Sequence, residues 1–363
     1  MFRTDTGSRK NTSHIISKCT SLILLFSTLF ILGLTGAPIS AQAAEKSLSR
    51  INNTNISYET IPKLGIVNHD AVAIVIGNKN YKKIGKGVPD VKYAHNDADV
   101  ITTFLIRSLG FREGNIITLK DALFSELVAH FGNTINAKGK VYNLVREGKS
   151  DLFIFYSGHG APSLDSGQGF LLPVDADPEA IGFTGYALDT FYRNIEKIPA
   201  RTTTVMIDAC FSGDSSAGSI IQDASSIALK LTDVAPPQKT MTLLTAAGLS
   251  EIASWDHDTK TGLFTRHFIE GIGGKADKNS YGNGDGAVSL KELSKYLDGE
   301  VAYSARALYQ RSQHPQVRGE SDIFMAMWKA KLKDERRRVE EARKKERAKA
   351  NHSADEVYIP PSF

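Results

Sequence analysis

Asp151-Leu-Phe-Ile-Phe-Tyr156-Ser-Gly-His159-Gly160 and Thr203-Thr-Val-Met-Ile207-Asp208-Ala-Cys210-Phe-Ser-Gly213 are built to one plan. Each is a short run of β-branched and aromatic residues that breaks into a turn carrying a reactive side chain. Continuous apolar runs of this length are the pattern of strands covered on both faces. Residues 71–77, 115–119 and 241–245 repeat it. Helical periodicity fills the gaps. Asn96 is placed to cap a helix in which Ala98, Ile101, Leu105 and Leu109 share a face, with Gly110 as its stop. Residues 125–136 and 264–272 read the same way. The alternation predicts an α/β layer fold with a mostly parallel sheet. No internal repeat is evident.

In such a sheet functional groups collect beyond the carboxyl ends of the strands. Parallel neighbours would deliver His159 and Cys210 to one edge, at a spacing of ~4.8 Å or one strand further. Glycines flanking His159 leave its ring uncrowded and a backbone N–H open to a ligand. A thiol is a weak nucleophile until ionised; an imidazole can take its proton and later protonate a leaving amine. Alone, Cys210 reads as a small buried hydrophobe and His159 as a loop donor. At two strand ends together, they point to a Cys–His hydrolase. The other histidines lack this setting.

The chain has 363 residues, a net charge of +4 and two cysteines, Cys19 and Cys210. The charge is uneven, because residues 329–349 carry eleven Lys/Arg against five Asp/Glu. The body is slightly acidic, so no basic face for nucleic acid is expected. Arg3, Arg9, Lys10 and Lys18 precede an apolar run from Leu22 to Ala37, and Ala41-Gln42-Ala43 follows. This is the grammar of a signal peptide over residues 1–44, with export to the periplasm or medium and no membrane contact after removal. The competing reading is a retained anchor tethering the protein, since the run nears the ~20 residues that span a bilayer. Removal takes Cys19 with it and leaves Cys210 as the mature thiol. Residues 45–63 read as a linker, 64–326 as the folded domain, 214–239 as an exposed connection within it, and 327–363 as a charged helical or disordered tail.

Several stretches together resemble the caspase-like cysteine peptidases, in particular their metacaspase and bacterial branch. They are Ala73-Ile-Val-Ile-Gly-Asn78, Asn96-Asp-Ala98, Phe155-Tyr-Ser-Gly-His-Gly160, Leu172-Pro-Val-Asp175, Ile207-Asp-Ala-Cys-Phe-Ser-Gly213, Gly262-Leu-Phe-Thr265 and Gln313-His-Pro-Gln316. The interval from His159 to Cys210 also suits the ~50 residues between such a pair. The resemblance implies a three-layer sandwich with helices on both faces, and peptide or protein substrates. It also implies Cys210 as nucleophile, His159 as acid–base partner, and the N–H groups of Gly160 and Cys210 as oxyanion donors. No cofactor is required for that chemistry.

Caspases that cut after aspartate carry Gln-Ala-Cys at the nucleophile; this chain carries Asp208-Ala-Cys210. Residues two apart on an extended segment face one way, so Asp208 projects into the pocket of the nucleophile. A buried carboxylate without a partner is costly, and an incoming Lys or Arg would supply one. By resemblance the specificity pocket is Asp97, Ser157 and Asp208, and cleavage follows a basic residue. The competing roles are a helix-dipole partner for Asp97 and a loop brace for Asp208. The cysteine that metacaspases commonly carry near the equivalent of Ala94 is absent. Lys230 and Lys239, in the exposed connection, are expected self-cleavage points.

Two other functions stay open: a non-catalytic module that keeps the fold, and a Cys–His hydrolase acting on non-peptide esters or amides. Separately, Asn283, Asp285 and Glu292 fit the later positions of a calcium loop. Tyr281 would hold the first position and cannot ligate. The competing reading is a Gly-rich turn leading into a helix over Leu290–Tyr309.

Overall fold

The computed structural model describes residues 61–319, apart from 85–86, 164–166, 213, 217, 220–240, 249 and 279, together with 341, 343 and 344. The signal segment, most of the linker, Lys230, Lys239 and nearly all of the charged tail lie outside the described residues.

Six strands form the central sheet: β1 (Val72–Gly77), β2 (Ile116–Lys120), β3 (Asp151–Ser157), β4 (Thr202–Asp208), β5 (Met241–Thr245) and β6 (Gln316–Arg318). Their order is β6-β5-β4-β3-β1-β2. All neighbours are parallel except β6, which runs antiparallel to β5. Period-2 alternation divides the strand side chains between two cores. Ala73, Val75, Phe153, Phe155, Met206 and Leu244 face one core, shared with α1 (Ala94–Arg107), α5 (Leu263–Ile272) and α6 (Leu290–Tyr309). Ile74, Ile76, Leu152, Ile154, Val205 and Ile207 face the other, shared with α2 (Phe124–Phe131), α3 (Lys140–Leu144) and α4 (Leu188–Glu196). The result is the expected three-layer α/β sandwich.

Four differences from expectation have local causes. Strand β2 is at most half-buried, because as the edge strand it has one neighbour. Helix α1 starts at Ala94, ahead of Asn96, and Tyr93 takes the cap position without a side-chain bond. Asn96 instead donates through Nδ2 to the Lys260 carbonyl, 2.6 Å away. Helix α2 ends at Phe131, well before residue 136, because Gly132 turns left-handed at φ +81°. The folded body also begins before residue 64: Ile61 is fully buried, and its carbonyl accepts from Arg107 Nε at 3.0 Å. Among the described residues no helix is long and apolar enough to cross a membrane.

Candidate active site

Strands β3 and β4 pair in parallel with Ser157 opposite Asp208. His159 lies two residues beyond the first and Cys210 two beyond the second, so both leave the sheet at one edge. Helix α1 reaches the same edge because β1 ends in glycine. A Cβ on Gly77 would stand 2.4 Å from the Ala94 carbonyl oxygen, so only glycine lets the helix come this close. One small pocket, about 310 Å³ with its open mouth, is lined by His159, Cys210, Asp97, Ser157 and Asp208, with Val91, Ser216, Ala253 and Trp255 among its other walls.

His159 is buried, and its Nε2 lies 2.7 Å from the Pro89 carbonyl oxygen. A carbonyl only accepts, so Nε2 carries the ring proton and the neutral imidazole keeps its lone pair on Nδ1. Burial lowers the pKa to about 4, against the pull of the Pro89 carbonyl and the Asp90 charge. At neutral pH the ring is therefore a base with Nδ1 as its accepting atom.

The glycines around His159 also permit close packing. A Cβ on Gly158 would meet the hydroxyls of Tyr156 and Tyr81 at 2.7 and 2.8 Å. One on Gly160 would meet the Phe211 ring at 2.5 Å and the Cys210 carbonyl oxygen at 2.7 Å. Both serve close packing, and Gly160 lies directly against the main chain of the cysteine.

Cys210 is buried, and its Sγ accepts the Ala253 N–H at a heavy-atom distance of 2.8 Å. The same Sγ lies 3.7 Å from the Ala253 carbonyl oxygen, which accepts its thiol proton. The Ala253 segment is itself braced. Ser254 N–H donates to Gln313 Oε1 at 2.8 Å, Gln313 Nε2 to the Ala246 carbonyl at 3.1 Å, and Ser216 Oγ to the Ala253 carbonyl at 2.8 Å.

Beside this pair sit two buried carboxylates. Asp97 accepts Ser157 Oγ–H and Gly262 N–H, each at 2.8 Å. Asp208 accepts Thr265 Oγ1–H at 2.7 Å and the Thr265 N–H at 3.3 Å. A Cβ on Gly262 would fall 2.1 Å from Asp208 Oδ2, so this glycine is the wall that gives the carboxylate its room. Burial, then the Asp208 charge, raises the pKa of Asp97 well above the usual range, and burial raises that of Asp208 to about 6. Neither has a cationic partner among the described residues.

The caspase domain family matches residues 70–322. The chain belongs to that family. Among solved structures, caspase-1 from Spodoptera frugiperda is similar at 14% identity, covering 74% of this chain and 94% of that one with a TM-score of 0.43. No curated protein matches. Membership in the caspase domain family supports cysteine peptidase activity in general.

In this caspase domain the residues singled out from sequence at the strand ends come together, including Asp97 from a helix more than a hundred residues upstream of Cys210. Pro89, Ala253 and Tyr81 escaped sequence reading because each acts through its backbone or a single hydroxyl. Thr265 and Gln313 belong to the Gly262–Thr265 and Gln313–Gln316 stretches that carry the family resemblance. Asn283, Asp285 and Glu292 stand apart, in the loop before α6. Glu292 closes a capping box with Ser289, and its Oε1 accepts the Asn283 N–H at 3.0 Å. Asp277 holds the Asp285 and Gly286 N–H groups at 3.1 and 2.8 Å. These carboxylates are engaged by loop donors, as in the Gly-rich-turn reading. Among the described residues no three His, Cys, Asp or Glu side chains group as metal ligands would.

Proposed function

We propose that this caspase domain is an exported endopeptidase that cuts after Lys or Arg with a Cys210–His159 dyad. The observation that carries the reading is the pocket itself, where a thiol and a neutral imidazole share walls with two buried carboxylates that have no cation beside them among the described residues. His159 Nδ1 takes the thiol proton, and the thiolate adds to the scissile carbonyl carbon. The N–H groups of Gly160 and Cys210 receive the oxyanion. The imidazolium then protonates the leaving amine as the C–N bond breaks, leaving a thioester on Cys210. Water, deprotonated by His159, adds to the thioester, and the thiolate departs with the acid product released.

A guanidinium or ammonium entering between Asp97 and Asp208 restores the charge balance that burial upsets, which favours basic over acidic side chains at that position. Export is supported by the basic, apolar and Ala-x-Ala succession before residue 44. The test uses fluorogenic peptides that differ only in the residue before the cleaved bond, on the secreted protein after N-terminal sequencing. Lys and Arg peptides are cleaved, Cys210→Ala abolishes turnover, and sequencing begins near Ala44. A preference for Asp would sink the specificity, and turnover by Cys210→Ala would sink the dyad.

A further inference from the structure

The main chain of His159 is held by two phenols. Its N–H donates to the Tyr81 hydroxyl oxygen at 3.0 Å. Its carbonyl accepts the Tyr156 hydroxyl at 2.7 Å and the Leu172 N–H at 2.9 Å. The Tyr81 hydroxyl in turn donates to the Leu172 carbonyl at 2.8 Å. Each phenol has one proton: Tyr81 gives its own to Leu172, and Tyr156 reaches both the His159 carbonyl at 2.7 Å and the Leu172 carbonyl at 2.8 Å. Both hydroxyls are buried, so breaking this set leaves orphaned polar groups away from water.

Tyr81 also reaches the imidazole. The two rings lie 4.7 Å apart between centroids, tilted at 55°. Pro89, which fixes Nε2, follows the short helix Tyr81–Ile84 that Tyr81 opens. Lys79 O accepts both the Tyr81 and the Val91 N–H, and Asp90 Oδ1 accepts the Lys82 N–H at 2.8 Å. The two residues leading into that helix are anchored by Asp121, whose carboxylate accepts Lys79 N–H at 2.9 Å, Asn80 N–H at 3.0 Å and an Asn80 Nδ2–H at 2.6 Å. Asp121 takes the left-handed region at φ +62° to do so.

We propose that Tyr81 is a positioning residue for His159: its hydroxyl fixes the backbone of the histidine, its ring covers one side of the imidazole, and Asp121 holds Tyr81 in place. This rests on His159 being the acid–base partner. A purely structural tyrosine would lend stability alone; this one also sets where Nδ1 points and how far water reaches it.

The experiment compares Tyr81→Phe, Tyr81→Leu and Asp121→Gly with Tyr186→Phe. Tyr186→Phe removes another buried phenol bond, 2.8 Å to the Gly132 carbonyl. Asp121→Gly removes the anchor while keeping a residue at ease with positive φ. Tyr81→Phe lowers kcat on an arginyl peptide about ten- to a hundred-fold, with KM changed by less than about two-fold. Tyr81→Leu admits water and moves the His159 titration, followed by NMR, upward from about 4. Asp121→Gly shows a smaller kcat loss of the same kind. Tyr186→Phe loses stability but keeps wild-type kcat and pH profile. Wild-type kcat in Tyr81→Phe, or an unmoved His159 titration in Tyr81→Leu, overturns the proposal. The titration needs no turnover, so a wild-type protein that cleaves no peptide refutes the function while this test of Tyr81 still decides.

Discussion

Thr265 and Arg266 are adjacent on α5, yet they serve buried carboxylates in opposite ways. Arg266 pairs with Asp256 and, through Nε, with Glu270 at 3.2 Å, and Lys275 adds a second cation 2.9 Å from Glu270. Burial pushes the Glu270 carboxyl up, but His267, Arg266 and Lys275 outweigh it and hold the pKa at about 2. Thr265 offers Asp208 a hydroxyl and an N–H and no charge, and that carboxyl rises to about 6. The protein can neutralise a buried carboxylate where it needs only structure. At the carboxyl edge of the sheet no cation among the described residues pairs with Asp97 or Asp208, and under the proposed function a basic substrate brings that charge.

Removing the negative charge at the edge gives the largest expected effect. Asp208→Asn lowers kcat/KM for arginyl peptides about 10²–10⁴-fold, the range for losing one member of a buried charge pair. Rates on peptides with a neutral residue at that position barely change. Equal losses on both would mean that Asp208 braces a loop and does not read charge.

Breaking the internal set shifts stability instead. Arg266→Met strands Asp256 and Glu270 and lowers unfolding free energy by about 3–5 kcal/mol, measured from the urea midpoint, with the Lys/Arg preference intact. A lost preference at unchanged stability would merge the two regions into one.

The smallest effect is a pH dependence with a definite sign. Asp208 has its folded pKa raised from an ordinary 3.8 to about 6. The stability associated with it is therefore fully present below about pH 4 and is lost as pH rises through about 6. Asp208→Asn escapes that loss. It is more stable than wild type at pH 7 by about 1–3 kcal/mol, and the difference disappears near pH 4. Denaturant titrations at the two pH values check this, and a variant less stable at pH 7 contradicts it.

Much of this was legible in the chain. The runs ending in Ser157-Gly158-His159 and Asp208-Ala209-Cys210 announce parallel strands because burial on both faces demands continuous apolar residues. Two-residue periodicity then puts Asp208 on the side of Cys210. Helix ends were less legible. Asn96 looks like a cap by local chemistry, but α1 begins earlier and spends that amide on the Lys260 carbonyl. The support of Cys210 and His159 was not legible at all. Pro89 and Ala253 act through backbone atoms, which every residue possesses, and Tyr81 resembles any core aromatic.

The sequence by itself determined the layer architecture, the edge of the sheet where the candidate site lies, and a thiol, an imidazole and an acidic residue in phase with the thiol. Those follow from periodicity and strand direction, which are local properties. Only the tertiary structure decided that Asp97 shares the pocket with Asp208, that no cation among the described residues answers them, and that Pro89 leaves the lone pair on Nδ1. Each depends on which atoms meet across distant segments in a water-poor interior, where one donor or one charge sets a protonation state.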